Sequence, residues 1–319
     1  MQSEPSRHTL TLPLVNPDEE NICLPLVINV ISKYWGEEIS LFDAEQIGKK
    51  YSGIKGSIMI EGIDLAEKHG LKGYVYKGSV EDIKRKIDQG IPSIVILPGI
   101  HETVQHANII CGYEPDEGRI LSYIPQPDTV GAIPEEQFRR DWEQDDMTSI
   151  VLVPEDMKQI IEKQNPQYRE SNRICLEVER LRHLRKVPGA LEKLSSAVRI
   201  DADNAQAWCI KGSILNEQNS QDAISCYEKS IKSNPNYYLA FRGLGNFYLK
   251  NNDFSQAEAY YSKAIGINPI RFGPIYKNRA LVRLQLGDEV GCRSDLVKYL
   301  DQVPNAADRE AIEEALNQL

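Results

Sequence analysis

Cys23 and His106 are the residues of this chain whose settings suit covalent chemistry. Cys23 stands in Asn21-Ile22-Cys23-Leu24-Pro25, at the mouth of a run with apolar residues at helical spacing: Leu26, Val27, Val30, Ile31 and Tyr34. His106 leads the apolar run 107–111, which Gly112-Tyr113 closes in the manner of a strand. A thiol is only a few per cent ionised at neutral pH, and the thiolate is the nucleophile. A helix N-terminus carries about half a positive charge and free amides, which favour that thiolate. An imidazole within reach accepts the thiol proton and later returns it to a leaving group. The chemistry would be attack of sulfur on a peptide or amide carbonyl. His8, His101 and His183 have no such setting and read as solvated, and Cys111 lies within the strand run and reads as packing.

These two residues need a helix and a strand to hold them. Ser40 caps a second helix through Lys49, with Asp43 three residues on. A third helix spans about 57–69 and stops at Gly70, and a fourth spans 79–89 between Ser79 and Gly90. Strand patterns fall at 73–77, 93–97, 106–112, 119–123 and 149–153, with a hairpin turn at Pro115-Asp116-Glu117-Gly118. Early helices followed by clustered strands predict an α+β domain over 1–155, its helices packed on an antiparallel sheet. Residues 156–188 are polar and helical, and are expected to form a junction and a first repeat helix.

The first 155 residues resemble the papain-like peptidases of the bacteriocin-processing, or double-glycine, family. The resemblance covers roughly 8–154. It rests on the Cys23-Leu24-Pro25-Leu26 stretch, the Tyr34-Trp35-Gly36 helix end, and His106 separated by five residues from Gly112-Tyr113. His69-Gly70-Leu71, Gly90-Ile91-Pro92 and the Phe138/Trp142 pair match the same family rhythm. The resemblance implies a cysteine peptidase with Cys23 as nucleophile and His106 as base, and no metal or organic cofactor. The family's orienting Asp-Pro step corresponds to Ile124-Pro125, which leaves Gln126 and Asp128 as the nearby polar groups for that role. The family's oxyanion glutamine corresponds to Pro17, beside which Asn16 carries a donating amide.

Beyond the junction the sequence repeats over 189–304. Ala190, Ala223, Ala257 and Cys292 are equivalent, and Leu194, Tyr227, Tyr261 and Leu296 follow four residues later. Phe241, Gly245, Tyr248, Ala257, Tyr261, Ala264 and Pro269 form the clearest unit. This pattern resembles the tetratricopeptide repeat, which implies an all-α solenoid that binds a protein or peptide partner, ended by a closing helix at 305–319. Arg242 and Asn246 lie four apart on one helix face, with Lys277 and Asn278 on the next unit. Together they resemble part of a clamp for a peptide carboxylate.

The net charge of −10 excludes a general nucleic-acid or anionic-membrane binder. No apolar run approaches a membrane span and the N-terminus lacks a secretory pattern, so a cytoplasmic protein is expected. The six cysteines form no Cys-x-x-Cys pair, which excludes a zinc or disulfide framework and fits a reducing compartment. Two further readings stay open. One is a peptidase-derived module that binds without cutting. The other is transglutaminase-like or amidase acyl transfer, since a cysteine-histidine pair does not fix the acceptor.

Overall fold

Nine successive residues of the first helix, Leu24 through Ser32, are buried. The helix is therefore enclosed on all sides, a position reserved for segments that are apolar around their whole circumference. Its two polar interior residues are bonded internally: Asn29 Nδ2 donates to Ile39 O at 2.7 Å, and Ser32 Oγ to Asn29 O at 2.9 Å. The computed structural model describes residues 6–13, 15, 23–51, 58–99, 105–124, 129–164 and 169–319.

In chain order the sheet-bearing region comprises β1 (His8–Thr9), α1 (Cys23–Tyr34), α2 (Leu41–Lys49), α3 (Met59–Lys68), β2 (Leu71–Lys77), α4 (Val80–Asp88), β3 (Ser93–Pro98), β4 (Gln105–Glu114), β5 (Arg119–Ile124), β6 (Thr129–Pro134), α5 (Glu135–Glu143) and β7 (Thr148–Pro154). The helix starts follow local chemistry. Ser40 and Ser79 accept the backbone N–H groups of Asp43 and Asp82 at 3.0 and 3.1 Å, as N-caps do. The strands form one sheet in the order β2-β7-β3-β4-β5-β6, with β1 added on β4. The β2–β7 and β5–β6 pairs are antiparallel, as is the β1–β4 pair. One sheet face packs on α1 through Ile94, Ala107, Ile109, Cys111 and Leu121, and another cluster joins Ile110 and Ile120 to Phe138 and Trp142 of α5. The α+β architecture is as expected from the sequence.

Past β7 a short turn leads into α6 (Lys158–Lys163), α7 (Arg169–His183) and α8 (Val187–Ile200). By packing, the chain forms two compact units: residues 1–97 with 107–207, and residues 98–106 with 208–319. The α7/α8 pair thus belongs to the first unit. Charged contacts attach it: Arg173 pairs with Glu67 at 2.8 Å and Arg180 with Asp64 at 2.6 Å, both on α3.

The remaining elements are α9 (Ala205–Glu217), α10 (Asp222–Ser233), α11 (Tyr238–Lys250), α12 (Phe254–Ile267), α13 (Pro274–Gln285), α14 (Glu289–Gln302) and α15 (Arg309–Gln318). The repeat positions explain this all-α region. Ala223, Ala257 and Cys292 are buried, as are Tyr227, Tyr261 and Leu296. A Cβ on Gly245 would lie 2.5 Å from the Tyr261 ring, so that position must be glycine for α11 and α12 to approach as they do. At the C-terminal end α15 lays Ile312 and Leu316 on Ala280, Cys292 and Leu296.

Candidate active site

Cys23 is the first residue of α1, so its thiol stands in the first turn of that helix. Of the six cysteines it alone is not buried. Burial pushes the Cys111 thiol up to about 11 and raises Cys175, Cys226 and Cys292 above the ordinary thiol value. A low-polarity surrounding penalises the charged thiolate, so those four are poor nucleophiles.

The far end of α1 is anchored, which fixes where Cys23 stands. Tyr34 Oη donates to Gly90 O at 2.8 Å, ahead of β3, and Trp35 Nε1 donates to Leu152 O at 2.8 Å, on β7. Gly36 follows with φ of 78°, a conformation that favours glycine and turns the chain out of the helix. Tyr34 and Trp35 therefore clamp the end of α1 to the sheet.

His106 is the second residue of β4 and is half-buried. The residues after it, Ala107 and Ile109, lie in the same apolar cluster as Leu24, Leu26 and Val27 after Cys23. The described residues ahead of the cysteine reach the same cluster. β1 pairs with Gly112 and Tyr113, Leu10 N bonds Cys111 O at 2.7 Å, and Leu12 and Val15 then join the α1 cluster. Tyr123 Oη on β5 donates to Val15 O at 3.2 Å. The residues that follow Cys23 and those that follow His106 thus share one apolar cluster.

Asn16, Gln126 and Asp128 lie outside the described residues, as does Pro17. Ile124 ends β5, pairing with Thr129 of β6.

In the second unit the four groove candidates divide. Asn246 on α11 and Asn278 on α13 both reach the Tyr261 hydroxyl; its bond to Asn246 Oδ1 is 2.7 Å long. Lys277 pairs instead with Asp308 at 2.8 Å and lies over the Tyr299 ring. Arg242 sets its guanidinium 4.8 Å from the Phe272 ring centroid, and its charge also acts on the Tyr261 hydroxyl. Sequence reasoning overlooked Arg271, which is fully buried in the turn before α13. The 35-residue interval from Ala257 to Cys292, one longer than the interval before it, is a faint trace of that altered turn.

Among the described residues no group of His, Cys, Asp and Glu is arranged to hold a metal ion, and no helix is long and apolar enough to cross a membrane.

Comparison with known proteins agrees with these two architectures. Residues 9–150 match the Peptidase_C39 like family, and residues 215–269 match the tetratricopeptide repeat. Human tetratricopeptide repeat protein 6 is 33% identical over 82 residues, which is 25% of this chain and 15% of that protein. Among solved structures, a thermophilic TPR protein of Thermus thermophilus is 20% identical with a TM-score of 0.39, over 49% of this chain and 85% of its own. PilF of Pseudomonas aeruginosa is 18% identical with a TM-score of 0.40, over 43% of this chain and 63% of its own. The chain therefore joins a Peptidase_C39-like domain to tetratricopeptide repeats.

Proposed function

We propose that the chain is a papain-like cysteine peptidase whose repeats bind a peptide or protein partner. Cys23 Sγ attacks the scissile carbonyl, and His106 takes the thiol proton and delivers it to the departing amine. Water then cleaves the acyl-enzyme, with His106 again as base. Asn16 is assigned the oxyanion donor, and Gln126 or Asp128 the orientation of the imidazole. The observation that carries the reading is Cys23 itself: the one cysteine not buried opens a helix whose other end is anchored to the sheet. Six free thiols favour the reducing cytoplasm as its compartment.

The test is hydrolysis of a mixed peptide library, read by mass spectrometry, with wild type and Cys23→Ala. Cleavage that vanishes with Cys23→Ala supports the reading. Cleavage that survives the substitution refutes it.

A second reading is favoured by the sequence, which has Ile124-Pro125 where the resemblance implies an orienting Asp-Pro step. An imidazole without an orienter loses its preferred tautomer and aim, at a cost of orders of magnitude in rate. On this reading the domain holds peptides without cutting them. Wild type would then bind library peptides and leave every one intact. Transfer to an added primary amine instead of water would mark the acyl-transfer chemistry that the same pair allows.

A further inference from the structure

α3 has two working sides, and one of them meets the helix that begins at Cys23. A Cβ on Gly62 would stand 3.0 Å from Ile28 and 3.1 Å from Leu24. Glycine at that position lets α3 seat directly on the first two turns of α1. Leu24 is the residue next to Cys23.

The other side of α3 is acidic. Glu61, Asp64 and Glu67 recur at every third position, and at about 3.6 residues per turn they face away from Gly62. α7 meets this side with Arg173 and Arg180, which lie seven apart on one face of their helix. Arg173 grips Glu67 through two bonds of 2.8 and 2.9 Å and stands 3.5 Å from Asp64. Arg180 bonds Asp64 at 2.6 Å and lies 3.6 Å from Glu61. Between the two arginines, Leu176 enters the apolar cluster that holds Leu24 and Ile28. A two-bond grip and a shared carboxylate fix geometry in a way that an isolated surface ion pair does not.

The consequence falls on the start of α1. The end turns of a helix fray most readily. A thiol gains from a helix N-terminus only while the first turn is wound. Contact with α3 at Leu24 and Ile28 holds that turn, and α7 holds α3 from the opposite side.

We propose that Arg173 and Arg180 are positioning residues for Cys23: the docking of α7 keeps α3 seated on α1, and so keeps the first turn of α1 wound around the thiol. The helix that follows the sheet-bearing region is then an activator built into the chain. The proposal rests on the reading of Cys23 as a nucleophile.

The test is the pH profile of iodoacetamide labelling at Cys23, read by mass spectrometry in the full-length chain. The reagent is uncharged, so removing charges does not alter its approach. Arg173→Met/Arg180→Met removes both guanidinium groups and keeps apolar stems. In this double variant, labelling of Cys23 at about pH 6 is expected to fall about tenfold, as its profile moves toward that of an ordinary thiol. Gly62→Ala crowds the contact with Leu24 and Ile28 while every arginine stays in place, and should move the profile the same way. Lys84→Met is the control. It breaks a 2.6 Å pair with Glu135, between α4 and α5, and should leave Cys23 as in wild type. Buried Cys111 reports unfolding in each variant.

A wild-type Cys23 that titrates as an ordinary thiol refutes the nucleophile reading itself. A wild-type profile that lies lower, and that the double variant and Gly62→Ala leave in place, refutes the positioning role alone. An equal change in Lys84→Met refutes it as well. So does a change confined to variants in which Cys111 also labels, since the pairs then serve only the fold. Should the double variant fail to fold, Arg180→Met alone is read in its place with the same outcomes.

Discussion

Replacing Gly245 by alanine tests the packing that gives the repeats their shape. The added methyl would meet the Tyr261 ring at 2.5 and 2.6 Å, well inside van der Waals contact. The ring is not free to retreat, because its hydroxyl bonds Asn246 on the same helix at 2.7 Å. Overpacking of this kind costs about 1–3 kcal/mol, and loss of the hydroxyl bond adds about 1. Alanine regains up to about 1 kcal/mol of helix propensity over glycine. The net expectation is a loss of roughly 1–3 kcal/mol. Gly266 on α12 is the internal control, since a Cβ there would meet nothing within 4 Å. Gly266→Ala should be neutral or stabilise by up to about 1 kcal/mol, for the propensity reason alone. Hydrogen exchange of α11 and α12 amides in the full-length chain reads both local opening free energies. If Gly245→Ala protects these helices as well as Gly266→Ala does, the close-approach argument is wrong.

Other consequences concern the sheet-bearing unit. Burial pushes the Glu179 carboxyl up to about 7, an effect that the charge of Arg182 only partly offsets. A carboxyl raised in the folded state contributes stability below its unfolded value near 4.3, and that contribution is lost as pH rises toward 7. Chemical denaturation followed by α7 exchange should therefore weaken between about pH 4.5 and 7 in wild type, and stay flatter in Glu179→Gln. A wild-type profile as flat as the variant's would contradict this. Trp35→Phe removes the 2.8 Å bond to Leu152 O and leaves that carbonyl short of a donor. A loss of about 1–3 kcal/mol is expected in urea denaturation, and no loss would mean that the indole does not anchor α1.

Much of the α+β domain was legible because local chemistry and tertiary structure agree there. Ser40 and Ser79 fall where N-caps are needed, and the apolar strand runs occupy the sheet interior. The sixth strand was not legible. Thr129–Pro134 is mostly exposed or half-exposed and carries Gly131, so neither alternation nor β-branched density marks it, and pairing with β5 alone specifies it. The attachment of α7 was hidden for a related reason. Its polar face reads as solvent-facing, yet Arg173 and Arg180 use it to pair with Glu67 and Asp64. At the candidate site, the positions of Cys23 and His106 on helix start and strand start followed from pattern. The burial of Arg271 did not, because a residue in a turn leaves no periodic trace.

The central claim is that Cys23 is a nucleophile activated by His106. The pH dependence of iodoacetamide labelling, read cysteine by cysteine by mass spectrometry in wild type and His106→Ala, tests it directly. Cys111, with its thiol near 11, is about one part in ten thousand ionised at pH 7 and should stay unlabelled, as should buried Cys175. The account predicts that Cys23 labels first, keeps reacting well below the pH at which an ordinary thiol ionises, and slows by tenfold or more in His106→Ala. Labelling of Cys23 that follows an ordinary thiol titration in wild type, unchanged by His106→Ala, would contradict it.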